Sequence, residues 1–136
     1  MIGFIENLKA WFKVKIQLQT KGTFYNIREG DVWWCAFGQN VGVEINGKNN
    51  TFSRPVVVLK KLSNLGFLGV PLTSQHHTGS WYTPFIFHDK QEYAVLSQIR
   101  VLSIHRLYKK MGMISTADFN LIKNGLLELY FRKNVP

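Results

Sequence analysis

Three strand-like runs between residues 29 and 75 organise the chain: EGDVWW (29–34), SRPVVVL (53–59) and VPLTSQ (70–75). A polar loop that ends at Arg54 separates the first run from the second, and the third run ends in two hydroxyls and an amide. A guanidinium with hydrogen-bonding groups beside it can bind a phosphodiester. If a small barrel brings these strand ends together, they could form such a site without a metal.

The chain after Gly30 is typical of a small barrel or a strongly bent sheet, because short strand-like runs alternate with turn residues. The unbroken apolar run of residues 56–59 predicts a strand that is buried on both faces. Residues 89–92 are predicted as a turn and residues 106–110 as a short basic segment. Pro84 cannot donate to a ladder, so its strand should lie at an edge or a bulge. Strands are predicted over 31–37, 54–62, 67–73, 81–88, 93–96 and 101–104.

A helix is predicted at each end of the chain. Residues 2–17 place Ile5, Leu8, Phe12 and Ile16 on one helical face, although part of this segment also alternates as a strand would. We favour a helix that ends before Gly22 and packs across its own domain. At the other end, a capping-box serine or threonine with an acid three residues later precedes apolar residues at helical spacing.

The elements together predict a single α+β domain with about five to seven strands, in which a helical extension (residues 1–28) precedes the barrel (residues 29–136). The chain carries 17 Lys and Arg against 8 Asp and Glu, a net charge of +9. Such an excess favours a polyanionic partner, since phosphate neutralisation dominates affinity for nucleic acid. A solvated basic surface without a function is the ordinary alternative.

Cys35 is the only cysteine and lies in an apolar run, which predicts a buried, inert thiol and a reducing compartment. No run approaches the roughly 18 apolar residues of a membrane span. Charges such as Glu6 and Lys9 interrupt any signal-peptide core. The sequence therefore predicts a soluble cytoplasmic protein without a membrane partner.

Several segments, in this order and spacing, resemble the MazF/PemK family of toxin components from bacterial toxin–antitoxin pairs. The resemblance covers the chain from residue 29 onward. It rests on GDVW (30–33), GVE (42–44), GK (47–48), RPV (54–56), VPLTS (70–74), LSQIR (96–100) and the segment from Lys110 to Gly112.

The resemblance implies an SH3-like barrel with appended helices, usually a homodimer. The usual activity of the family is metal-independent cleavage of single-stranded RNA, without a cofactor, and a cognate antitoxin neutralises it. Given the net positive charge, we expect that antitoxin to be acidic and to lay a flexible segment across a basic groove.

Arg54 and Thr73 are the predicted catalytic residues. RNA supplies its own nucleophile, the 2′-hydroxyl, so the protein must position it, stabilise charge on the phosphoryl oxygens and manage protons. The guanidinium of Arg54 suits the second task, and the Thr73 hydroxyl can bond the 2′-hydroxyl or a phosphate oxygen. The alternatives are a surface arginine paired with Glu44 or Asp31, and a threonine that packs at a strand end and caps a turn.

Polar residues of the loop and of later strand ends are the predicted RNA-binding residues. The loop should flank the RNA groove, and its lysine should contact the backbone. Trp33 and Trp34 should point to opposite faces of a strand, which leaves at most one of them to stack on a base. The candidate RNA-binding residues are Glu44, Lys48, Ser74, Gln75 and Gln98.

Two positions depart from the pattern of some family members. Val43 and Ser97 stand where those members have a histidine before the loop glutamate and an aspartate before the later glutamine. His76 is a further candidate for a general base, and no histidines have zinc-site spacing.

The alternative function is an inactive barrel that binds nucleic acid or a protein target such as gyrase. A membrane-surface protein that binds through its basic N-terminal helix is a third possibility.

Overall fold

The computed structural model describes residues 2–132. Its order of elements confirms the predicted α+β class, with seven strands between two helices. Short 3-10 helices at Leu96–Gln98 and Ile104–Arg106 flank the sixth strand. The elements are α1 (Ile2–Gln19), β1 (Asp31–Ala36), β2 (Ser53–Lys61), β3 (Gly66–Thr73), β4 (Tyr82–Phe87), β5 (Lys90–Val95), β6 (Arg100–Ser103), β7 (Leu107–Met113) and α2 (Thr116–Phe131).

The strands form one antiparallel sheet in the order β4-β5-β3-β2-β1-β7, and β6 pairs with the first half of β3. No ladder closes this sheet within residues 2–132, so it is barrel-like only in a loose sense. It is nevertheless strongly bent. A Cβ atom added to Gly112 of β7 would lie 3.1 Å from Nε2 of His88, at the end of β4. The two edge strands therefore approach each other at one corner, and Pro84 lies in the edge strand β4, where its missing donor is tolerated.

The core lies on both faces of the central strand β2. Val57 and Leu59 belong to a cluster that α2 covers with Ile122, whereas Val56 and Val58 belong to a second cluster on the other face. All four side chains are buried, which confirms the prediction from the unbroken apolar run. Ser115 accepts a hydrogen bond from the backbone N–H of Asp118, as the capping box predicts.

Helix α1 is confirmed, but it packs through a different face from the predicted one. Trp11 and Leu18 are buried against Ala36 and Phe52. Trp11 also lies so close to Gly38 (φ +84°) that an added Cβ would be 2.4 Å from its ring. The predicted apolar face instead points to solvent, with Ile5, Leu8, Phe12 and Ile16 exposed. No helix in the described part of the chain combines the length and the apolar character needed to cross a membrane.

Three boundaries differ from the sequence predictions. A turn is predicted at residues 89–92, but the observed turn consists of His88 and Asp89, both with positive φ. Strand β5 already begins at Lys90. The basic segment at 106–110 lies largely in strand β7, whose two register shifts against β1 disturb the alternation that a regular strand would show. The strand predicted over 93–96 ends one residue early, at Val95, because a 3-10 helix that contains Gln98 begins at Leu96.

Asp31 anchors the start of β1 from a fully buried position. Its Oδ2 atom accepts hydrogen bonds from the backbone N–H of Arg28 (2.9 Å) and from Nε1 of Trp33 (3.4 Å). Its Oδ1 atom lies 3.2 Å from Nζ of Lys110 on β7. This carboxylate is thus a structural tie between β1, β7 and the preceding turn, and it does not pair with Arg54.

Candidate active site

A cleft of about 410 Å³ opens where the ends of β2 and β3 meet the β4–β5 hairpin, and we call it the central cleft. Its polar residues come from the β1–β2 loop, the ends of β2 and β3, and the hairpin. These are Lys48, Asn49, Ser53, Arg54, Thr73, Ser74, His88, Lys90 and Glu92. Its apolar residues are Trp34, Pro55, Leu72, Phe87 and Met111.

Strand register explains why Arg54 and Thr73 lie beside each other at the strand ends that border the central cleft. In the antiparallel β2–β3 ladder Val56 pairs with Pro71, and one step of two residues beyond this pair reaches Arg54 on β2 and Thr73 on β3. Side chains alternate along a strand, so such a step returns to the same face. The structure therefore brings these two residues together from separate strands.

The backbone holds Arg54 in place. Its Nε atom donates to the carbonyl of Asn46 in the β1–β2 loop, and Nη1 donates to the carbonyl of Leu72, 3.4 Å away. Burial lowers the pKa of this guanidinium from its usual value. Neither carboxylate considered as an alternative partner pairs with it, since Asp31 contacts Lys110 and Glu44 accepts from the N–H of Val41. The forked guanidinium of Arg54 is thus oriented by two carbonyls, and its positive charge remains available for a ligand.

Thr73 and its neighbours supply hydroxyl groups to the same cleft. The Thr73 side chain is 7% exposed, and its Oγ1 accepts from the backbone N–H of Gln75 at 3.2 Å. That bond uses an oxygen lone pair and leaves the hydroxyl proton available for donation. Ser74 is exposed at the cleft, and Lys48 reaches it from a loop that the Lys48–Ser53 bridge holds.

Three of the candidate RNA-binding residues lie outside the central cleft. Glu44 and Gln98 line a separate pocket of about 330 Å³. There Gln98 accepts from the N–H of Ile45 (2.9 Å) and donates to the carbonyl of Val43 (3.0 Å), so its amide fixes the loop. Gln75 lines neither pocket.

Aromatic residues divide between core and cleft as predicted. Trp33 is 5% exposed and packs in the core, whereas half-buried Trp34 lines the central cleft. Trp34 also lines a neighbouring shallow cleft of about 330 Å³ with Tyr108 and Lys109. The prediction that the two tryptophans point to opposite faces is confirmed.

Sequence reasoning missed the contribution of the β4–β5 hairpin. His88, Lys90 and Glu92 line the central cleft, whereas His76 lies outside it with Nδ1 2.8 Å from the Tyr93 hydroxyl. Residues 89–92 are all polar in the sequence, so they resemble a turn and give no signal that Lys90 and Glu92 face a cleft. Burial raises the pKa of the Glu92 carboxyl, and the charge of Lys90 opposes that shift.

Cys35 lies on β1 opposite Arg54 of β2 and is fully buried, which confirms the predicted burial of its thiol. Burial raises the pKa of its thiol to about 12, and the charges of Arg106 and Arg100 only partly oppose that shift. Because the thiolate is the reactive form, this cysteine is chemically inert. The described part of the chain also places no three His, Cys, Asp or Glu side chains together as a metal site.

Comparison with sequence families gives a match over residues 28–130 to the family described as PemK-like, MazF-like toxins of type II toxin–antitoxin systems. This match excludes helix α1 and includes every strand. A search of curated proteins found no matching relative.

Solved structures share the fold at low sequence identity. The crystal structure of MazF from Deinococcus radiodurans superposes with a TM-score of 0.64 and 18% identity, and covers 77% of this chain and 96% of that one. An endoribonuclease in complex with its cognate antitoxin from a mycobacterial species superposes with a TM-score of 0.62 and 17% identity, and the match covers 80% of this chain and 100% of that one. A MazE–MazF structure from D. radiodurans superposes with a TM-score of 0.60 and 15% identity, and the match covers 80% of this chain and 99% of that one.

Proposed function

Because this chain belongs to the PemK-like, MazF-like family of toxins from type II toxin–antitoxin systems, we propose that it is an endoribonuclease that cuts single-stranded RNA. The observation that carries the proposal is the convergence of Arg54 and Thr73 on the central cleft. Two structural neighbours of the same fold are described as a MazF and as an endoribonuclease with its antitoxin, which supports the same activity.

In the proposed reaction the 2′-hydroxyl of RNA attacks the adjacent phosphate in line with the departing 5′-oxygen. Arg54 stabilises the charge that builds on the phosphoryl oxygens, because its fork is already oriented by two carbonyls and need not reorganise. Thr73 donates a hydrogen bond from its hydroxyl to the 2′-oxygen or to a phosphate oxygen and keeps its proton. Lys48 and Ser74 bind the phosphate backbone at the rim of the cleft.

The substrate supplies the nucleophile and the protein supplies the positive charge, so we propose that no metal takes part. The purified protein should cut single-stranded RNA in the presence of EDTA and leave 2′,3′-cyclic phosphate and 5′-hydroxyl ends, as read by gel and mass spectrometry. A DNA strand of the same sequence should stay intact because it lacks the nucleophile. Cleavage of the DNA control would contradict the reaction, and salt-sensitive RNA binding without cleavage would indicate a binding module instead.

Trp34 is proposed to stack on a base beside the scissile phosphate. It stands between the central cleft and the shallow cleft that contains Tyr108 and Lys109, so a strand could pass over it from one to the other. Trp34→Ala should weaken binding of single-stranded RNA about 5- to 150-fold, since one base–aromatic stack contributes about 1–3 kcal/mol. Fluorescence anisotropy would measure this.

The controls for this prediction separate stacking from packing. Trp34→Phe keeps an aromatic face and should retain most of the affinity. Trp81 is 57% exposed and lines neither cleft, so Trp81→Ala should change nothing. Equal losses in Trp34→Phe and Trp34→Ala would argue against stacking.

An antitoxin is the partner that membership of a toxin–antitoxin family implies. We propose that it is acidic, because the chain carries a net charge of +9 and Lys48, Arg54 and Lys90 face one cleft. We also propose that the toxin acts in the cytoplasm as a homodimer, as the resemblance to its family implies.

A further inference from the structure

The proposed reaction needs two proton transfers that neither Arg54 nor Thr73 performs well. The 2′-hydroxyl must lose a proton as it attacks, and the departing 5′-oxygen must gain one. An arginine stays protonated at neutral pH and a neutral threonine is a weak acid and a weaker base. If the proposed function holds, other groups of the central cleft must therefore carry these two proton transfers.

The β4–β5 hairpin places a histidine at the rim of the cleft. Phe87 pairs with Lys90, so His88 and Asp89 form a two-residue turn, and both have positive φ. The His88 ring stacks on Phe87 with centroids 4.0 Å apart, and its Nε2 faces Gly112 of β7. The imidazole is thus held between two elements and borders the central cleft.

The same hairpin places a carboxylate in the cleft. Lys90 and Glu92 share one face of β5, which lines the central cleft, whereas the intervening Gln91 donates to the carbonyl of Phe85 on the neighbouring strand. Glu92 is partly buried and forms no ion pair within residues 2–132. A carboxylate in a cleft of positive charge opposes phosphate binding, so its presence needs a chemical reason.

We propose that Glu92 is the general base and His88 the general acid of RNA cleavage. Glu92 takes the proton of the 2′-hydroxyl while the 2′-oxygen forms its bond to phosphorus. The bond between phosphorus and the 5′-oxygen breaks, and the His88 imidazolium gives its proton to that oxygen. The products are a 2′,3′-cyclic phosphate and a 5′-hydroxyl, and exchange with water restores both side chains.

The electrostatic surroundings suit a carboxylate base. Desolvation raises the pKa of Glu92 towards the range where proton exchange with a hydroxyl is efficient, and Lys90 only partly opposes this. The other charged or titratable groups that line the cleft around it are Lys48 on the loop, Arg54 on β2 and His88 on the turn. A bound phosphate would offset these cations, which favours transfer of a proton to the carboxylate.

The test is single-turnover cleavage by the full chain between about pH 5 and 9. The wild-type rate should rise with pH as Glu92 loses its proton. Glu92→Gln should lose about 100-fold or more at its maximum together with the acidic limb. His88→Asn should lose a comparable factor at its maximum, and asparagine tolerates the positive φ of this turn.

Matched variants control for charge, turn geometry and loss of a histidine. Asp89→Asn removes one negative charge from the same turn at a residue that does not line the cleft, and it should cleave at the wild-type rate. His76→Asn removes a histidine that lies outside the cleft and should also leave the rate unchanged.

A substrate with sulfur in place of the bridging 5′-oxygen separates the two roles, since a thiolate departs without an acid. This substrate should restore cleavage by His88→Asn and not by Glu92→Gln. If Glu92→Gln and His88→Asn both cleave RNA at the wild-type rate with the wild-type pH profile, the assignment of base and acid is overturned. The proposed endoribonuclease function would then still stand. A wild-type protein that cuts no RNA would overturn the proposed function and the assignment together.

Discussion

Replacing Arg54 with alanine should slow RNA cleavage about 100- to 1000-fold, which is the usual range when one preoriented charge-stabilising donor is removed. The loss should fall on the rate of the chemical step more than on RNA binding, because Lys48 and Lys90 still border the cleft. Single-turnover rates at saturating protein would measure it. Arg54→Lys keeps the charge and loses the fork, and it should recover only part of the rate.

Arg54 also ties the loop to β3, so its removal needs a structural control. The side chain donates to carbonyls of Asn46 and Leu72, and a looser loop could lower activity by itself. Thermal unfolding and near-UV circular dichroism of Arg54→Ala should remain close to wild type. An Arg54→Ala protein that is folded and cleaves at more than a tenth of the wild-type rate would remove Arg54 from the mechanism.

Asp31→Ala should lower the free energy of unfolding by about 3 kcal/mol, measured by urea denaturation. The substitution deprives the buried donors at Arg28 and Trp33 of their acceptor and removes the partner of Lys110. Asp31→Asn keeps an acceptor oxygen and loses the charge, so a smaller loss is expected. The turn before β1 and the β1–β7 edge should therefore both weaken.

An exposed ion pair provides the comparison for this prediction. Glu128 and Arg132 form a pair on α2 in which both side chains are largely exposed, so Glu128→Gln should change stability by less than about 0.5 kcal/mol. The idea fails if Asp31→Ala is as stable as Glu128→Gln. Asp31 lines no part of the central cleft, so cleavage per folded molecule should be unchanged below the melting temperature.

The strongest sequence predictions rest on patterns that burial enforces directly. The run from Val56 to Leu59 is buried on both faces because β2 separates two halves of the core. Trp33 and Trp34 separate because neighbouring side chains of a strand point to opposite faces. Ser115 caps α2 through a bond that is local in sequence. In each case the determining contact follows from one short segment.

The missed features depend on contacts between distant segments. The sequence of β7 does not show a regular strand pattern because two register shifts interrupt its pairing with β1. Those shifts depend on the partner strand and not on the residues of β7 alone. Glu92 and Lys90 resemble a polar turn in the sequence, and only the folded hairpin shows that they face the cleft. The apolar face of α1 is exposed because Trp11 and Leu18, on another face, fit against Phe52.

The inert thiol of Cys35 makes the protein convenient for site-directed labelling. Its burial and its pKa of about 12 keep it from reacting with maleimides at neutral pH, so the natural cysteine need not be removed. A single substitution such as Asn50→Cys at the exposed tip of the β1–β2 loop would then provide the sole reactive handle. A fluorophore there would report how this loop moves as RNA enters and leaves.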